Sequence, residues 1–153
     1  METLIEKYPN LFRTTHCDYG CGDGWLKLVE SACRLITGLQ RQYLRYNKDA
    51  SKPFESAVCG QSDKPFLDFK FIQIKEKFGG LRMYYDLTKI EHDWATFDKA
   101  DYDAEFRRLQ TRIAGFTDAL EVVSDFTCEV CGNRGTKTTS GWIKTLCEEH
   151  KRQ

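Results

Sequence analysis

Apolar positions along the chain fall into three periodic blocks. Trp25, Leu28, Val29, Ala32, Cys33, Ile36, Leu39 and Tyr43 recur at three- and four-residue steps. That spacing predicts a helix over about 24–46 with one wide apolar face. Asp23 stands where an N-cap carboxylate would meet the first free amides. From about Asp101 a second helix is predicted, because Tyr102, Phe106, Leu109, Ile113, Phe116, Leu120 and Val123 step alternately by four and three. This seam is expected to pack inside the chain, and oligomerisation through helix 101–125 is the alternative.

Between these blocks the period changes to two. Leu67, Phe69 and Phe71 alternate with Asp68 and Lys70, then the phase slips so that Ile72, Ile74 and Phe78 alternate with Gln73, Lys75 and Lys77. A β-bulge near Phe71-Ile72 accounts for the slip. After Gly79-Gly80, suited to a tight turn, Leu81, Met83 and Tyr85 alternate with Arg82, Tyr84 and Asp86. The pattern is a hairpin. Residues 2–8 read as a short helix stopped by Pro9, with Leu4, Ile5, Leu11 and Phe12 as its core contacts. Loops are expected over 14–24, 47–65 and 88–100. The resulting fold class is α+β, with two long helices packed on a β-hairpin and a C-terminal zinc module of treble-clef or ribbon type. Residues 1–126 would form the core, and 127–153 the module packed on it in a single compact unit.

The zinc expectation rests on spacing. Cys128-Glu129-Val130-Cys131 and Cys147-Glu148-Glu149-His150 are two ligand pairs separated by fifteen residues. Three thiolates and one imidazole close a tetrahedron around one structural ion. Gly132 suits the knuckle after the second thiol, and a short hairpin should join the pairs. His16, Cys17 and Cys21, completed by Cys33, Cys59 or His92, are a less specific candidate for a second metal. Cys33, on the apolar helix face, reads more simply as a small core residue. Cys59 beside Gly60 is a candidate reactive thiol with no histidine nearby in sequence.

Charge narrows the partners. The 153 residues carry 23 bases and 23 acids, so no long-range attraction to nucleic acid or anionic lipid is built into the whole chain. Its distribution is uneven: Asp93–Asp125 holds eight acids and four bases, and Asp68–Arg82 four bases and two acids. An anion site is therefore expected at Lys75, Lys77, Gly79, Gly80 and Arg82, where cations flank glycine amides. Tyr84 and Trp142 offer stacking faces, and Lys137 and Lys144 on the zinc hairpin are candidate nucleic-acid contacts. Arg41 and Arg45, among tyrosines at the helix end, read as solvation. The start of the chain lacks a secretory h-region and the seven cysteines are odd in number, so a cytoplasmic, reduced setting is expected.

No HExxH, nucleophile elbow, Walker motif or deaminase pattern is present. Non-catalytic binding is the expectation, and a hydrolase assembled from scattered residues the enzymatic alternative. Cys21-Gly22-Asp23-Gly24-Trp25, then Lys75-Glu76-Lys77-Phe78-Gly79-Gly80-Leu81-Arg82, then the Cys128–His150 module together resemble a family of small bacteriophage and bacterial proteins of no settled activity. The resemblance implies phage or prophage origin and action in the host cytoplasm. By class analogy it implies an accessory protein that inhibits a host factor, such as a defence protein, or sequesters its nucleotide messenger. A nucleic-acid-binding regulator using the zinc hairpin is the alternative.

Overall fold

The computed structural model describes residues 2–12, 17–46, 67–89 and 99–152. Its elements run α1 (Glu2–Lys7), β1 (Asp18–Gly20), α2 (Leu26–Tyr46), β2 (Leu67–Lys77), β3 (Gly80–Lys89), α3 (Lys99–Ser124), β4 (Thr136–Lys137) and β5 (Thr145–Leu146). The fold is α+β. His16, Cys59, His92, Trp94 and the expected loop 47–65 lie outside the described residues, as do the side chains of 41–46 and Tyr102.

β2 and β3 pair antiparallel from Lys77↔Gly80 to Leu67↔Lys89, with a register shift between Phe71 and Gln73. The bulge therefore falls where the alternation slips. Two features differ from the sequence expectation. First, β1 adds a parallel third strand against β2, Asp18 opposite Gln73 and Gly20 opposite Lys75, inside the stretch read as loop. Second, the hairpin turn is centred one residue earlier, on Phe78 (φ +53°) and Gly79 (φ +70°), and Gly80 already belongs to β3. A two-residue primed turn needs positive φ at both centres. For phenylalanine that conformation costs on the order of 1 kcal/mol.

The core gathers Trp25, Val29, Ala32, Cys33, Ile36 and Leu39 from the 3₁₀ turn Asp23–Trp25 and α2, Leu67, Phe69, Phe71 and Ile74 from β2, and Leu81 and Met83 from β3. Leu109, Ile113 and Leu120 of α3 join it, with Phe106 and Phe116 packed against it. These α3 residues carry the heptad seam, so most of the seam is used inside the chain; Val123 lies 46% exposed. Leu4, Leu11 and Phe12 are core as expected, whereas Ile5 faces solvent. Phe71 packs between Phe69, edge-on at 4.8 Å, and Phe12 at 5.4 Å.

Asp23 makes no side-chain cap: it sits inside the 3₁₀ turn, and Gly22 occupies the N-cap position. α3 covers the outer edge of the sheet with polar side chains. Ser124 Oγ accepts from the Leu81 N–H at 2.8 Å, and Glu121 Oε1 from the Met83 N–H at 2.7 Å. Amides that would otherwise template another strand are thereby satisfied. Among the described residues no helix is long and apolar enough to cross a membrane.

Candidate metal centre and adjoining groove

After α3 the backbone folds into a knuckle. The Cys128 N–H donates to the Asn133 carbonyl at 2.7 Å, and Gly132, at φ +77°, returns its N–H to Cys128 O at 2.9 Å. β4 and β5 then pair and lead to a turn in which the N–H groups of His150 and Lys151 both reach Cys147 O, at 3.1 and 3.0 Å. This brings Cys128, Cys131, Cys147 and His150 together, their donor atoms within 4.8 Å of one another. Cys131 Sγ lies 3.7 Å from Cys147 Sγ, and His150 Nδ1 lies 3.6 Å from Cys128 Sγ and 3.1 Å from Cys147 Sγ. A tetrahedral ion with ~2.3 Å metal–sulfur bonds has edges of about 3.8 Å, so the four donors fit a metal.

Local electrostatics favour the thiolate at two of the four donors, Cys128 and Cys147, while the neighbouring thiols raise Cys131 and His150. Burial alone would push the Cys128 thiol up, but the N–H groups of Cys131, Cys147 and Val130 outweigh it and bring the group down to about 6. The His150 N–H lowers Cys147. Turning N–H groups toward sulfur favours thiolate, the form that binds metal. Among the described residues no second group of three such donors lies close enough to hold an ion. Cys17 and Cys21, at the ends of β1, are half-buried, and burial pushes both thiols up. Cys33 is fully buried and its thiol is pushed up to about 12 by burial, as a core residue would be.

The knuckle is seated on the segment that opens α2. The Gly24 N–H donates to Glu129 O at 2.9 Å, and Trp25 Nε1 to Thr127 O at 2.7 Å. A Cβ on Gly24 would stand 2.1 Å from Cys128 O, and one on Gly22 would stand 2.1 Å from Glu129 O. Those glycines are there because backbone meets backbone. Nothing in the spacing of residues 22–25 discloses that contact, which joins positions about a hundred residues apart. The second seat is the hairpin turn: Thr145, fully buried, donates its hydroxyl to Gly79 O at 2.5 Å, and Gly79 lies against Ile143 and Lys144. A Cβ on Gly80 would meet Asp125 Oδ1 at 2.7 Å. Gly79 N–H is taken by Glu76 Oε1 at 2.7 Å. Both glycines of the expected anion site are therefore buried at this seam.

The basic side chains divide into two sets. Lys137 pairs with Asp125 at 2.8 Å, Lys144 with Glu129 at 3.2 Å, and Arg82 approaches Glu121 at 3.7 Å while donating to Leu81 O. Lys75 and Lys77 make no ion pair among the described residues; their ammonium groups lie over the rings of Tyr84 and Phe78, at 5.1 and 5.6 Å. These two lysines border a groove of about 480 Å³, lined by Lys75, Glu76, Lys77 and Phe78 on one side and Gly141, Trp142 and Ile143 on the other. Trp142 is 76% exposed and Phe78 66%. The tip of the β4–β5 hairpin is held by Thr138, whose Oγ1 donates to Trp142 O at 3.2 Å and accepts from the Lys144 N–H at 3.0 Å.

No protein-family model, curated protein or solved structure matches the chain.

Proposed function

We propose that the four-donor site holds one structural zinc ion in a treble-clef or ribbon-like module, and that the chain is a non-catalytic, phage-type accessory protein. It acts in the host cytoplasm by binding and inhibiting a host factor, such as a defence protein, or by withholding that factor's nucleotide signal. The observation that carries this reading is the completeness of the donor set. Cys128, Cys131, Cys147 and His150 supply four ligands, which leaves a tetrahedral ion no position for substrate or an activated water. The ion then serves to clamp the C-terminal lobe onto Gly24 and Gly79, and binding falls to the exposed surface beside it.

A nucleic-acid-binding regulator is the second reading, favoured by the exposed Trp142 on the hairpin tip. Its expected phosphate contacts, Lys137 and Lys144, are already neutralised by Asp125 and Glu129. Capture of partners on the intact protein from a host lysate, followed by native mass spectrometry, tests the first reading. One zinc together with a stoichiometric host protein or nucleotide supports it. Recovery of nucleic acid alone, released by moderate salt, favours the second.

A further inference from the structure

We infer that the groove between the hairpin tip and the zinc-lobe tip is a site for a single nucleotide, its base against Trp142 and Phe78 and its phosphate at Lys75 and Lys77. The inference deepens the inhibitor reading and rests on it only for biological role, since it gives the withheld signal a place to bind.

The sequence distributes these residues over two separate motifs, one expected to hold an anion and the other to contact nucleic acid. Folding puts them on facing walls of one groove. Two large rings, Phe78 and Trp142, are left mostly in water there; Tyr84, 41% exposed, lies under the Lys75 ammonium. Phe78 holds a positive φ at the turn, a position glycine or asparagine would occupy with less strain. Aromatic faces of this kind take any base by stacking.

Charge selects the rest of the ligand. Lys75 and Lys77 stand unpaired among the described residues and have only ring faces for company, so an arriving phosphate breaks no ion pair. Glu76, between them, has its Oε1 engaged by the Gly79 N–H. Two ammonium groups less the Glu76 carboxylate leave the lining one net positive charge, which favours a phosphate monoester over a neutral ligand. A nucleic-acid strand would need a track of further free cations. Lys137, Lys144 and Arg82, the other candidate contacts that the sequence offered on the two motifs, are instead matched to Asp125, Glu129 and Glu121. The groove volume of about 480 Å³ is that of a small-molecule site.

The test is calorimetric titration of the zinc-loaded full chain with AMP, GMP, CMP and UMP, with inorganic phosphate, and with a single-stranded oligothymidylate. At least one nucleoside monophosphate should bind, and bind more tightly than inorganic phosphate. Its affinity should fall by about tenfold or more in Trp142→Ala, as expected for loss of one stacking partner, and by a similar factor in the Lys75→Ala, Lys77→Ala double variant. Lys137→Ala should leave it unchanged. Native mass spectrometry showing one retained zinc certifies each variant as folded, and Phe78→Gly carries the test should Trp142→Ala fail that check. Absence of nucleotide binding overturns the inference, as does binding indifferent to both variants, or binding of the oligonucleotide alone with a steep salt dependence. Absence of nucleotide binding together with a host protein captured equally by wild type and Trp142→Ala would retire the nucleotide site and leave the inhibitor reading standing. Nucleotide binding with no effect on any host activity would do the reverse.

Discussion

Gly24 donates its backbone N–H to the carbonyl of Glu129, 2.9 Å away, so the first turn before α2 and the metal knuckle share a main-chain hydrogen bond. A side chain at Gly24 would drive into Cys128 O and Gly132 N, and both are backbone atoms of the knuckle. Gly24→Ala should therefore lower stability by about 2–3 kcal/mol, the cost of overpacking a rigid contact. Gly115→Ala is the control: Gly115 is an exposed position of α3 with nothing within 4 Å of its virtual Cβ, and alanine there should add roughly 0.5–1 kcal/mol through helix propensity. Urea denaturation of the two variants should give opposite signs. Equal effects would contradict the seating role.

Metal removal should be regional at first. With a metal on Cys128, Cys131, Cys147 and His150, chelation would take away their cross-link, while the β2–β3 ladder and the Phe69–Phe71 core contribute none of the four donors. Hydrogen exchange after chelator treatment should show early loss of protection at the amides of Gly24, Cys128, Glu129 and Gly135, which bond across or within the lobe. Amides of β2 should hold longer. Simultaneous loss everywhere would mean that the ion supports the whole fold in one cooperative unit.

Ser124 is fully buried, and its hydroxyl is the acceptor for the Leu81 amide on the sheet edge. Ser124→Ala leaves that N–H without a partner and should cost about 1–3 kcal/mol. Thermal or urea unfolding measures it. A neutral substitution would show that water replaces the hydroxyl there.

Glu121 gives a pH signature with a defined sign. Burial raises its carboxyl pKa, against the lowering influence of the Met83 N–H and of Arg82. A carboxyl with a raised folded pKa binds its proton more readily in the folded state. Its contribution to stability is therefore greatest at acid pH, falls as pH rises from the ordinary glutamate value to the raised one, and is constant above. Glu121→Gln keeps an oxygen for the Met83 amide and should remove that slope. Denaturation of both proteins between pH 4 and 7, compared as a difference, tests it; an unchanged slope would place the titration on another group.

Much of this was legible in the chain. The spacing of Cys128, Cys131, Cys147 and His150 foretells the four-donor cluster because ligand geometry is local to two short pairs. The slip of alternation at Phe71-Ile72 marks the bulge, since side-chain period is strict in a strand. β1 was not legible: three residues between turn-rich neighbours hold no period, and they become a strand only because β2 offers an edge. The turn was misplaced by one residue because glycine is the ordinary tenant of positive φ, and Phe78 breaks that habit. The union of Lys75 and Lys77 with Trp142 was hidden for a different reason. It is created by the docking of Thr145 on Gly79, a tertiary contact with no trace in either motif.

Phe78 also says how such a protein would drift if left to itself. A laboratory selection for thermal endurance alone should replace it early with glycine or asparagine, which take φ +53° more readily. Lineages kept under demand for the protein's activity should retain an aromatic ring there and tolerate the strain. Sequencing both populations would separate what this turn owes to the hairpin from what it owes to whatever visits the groove.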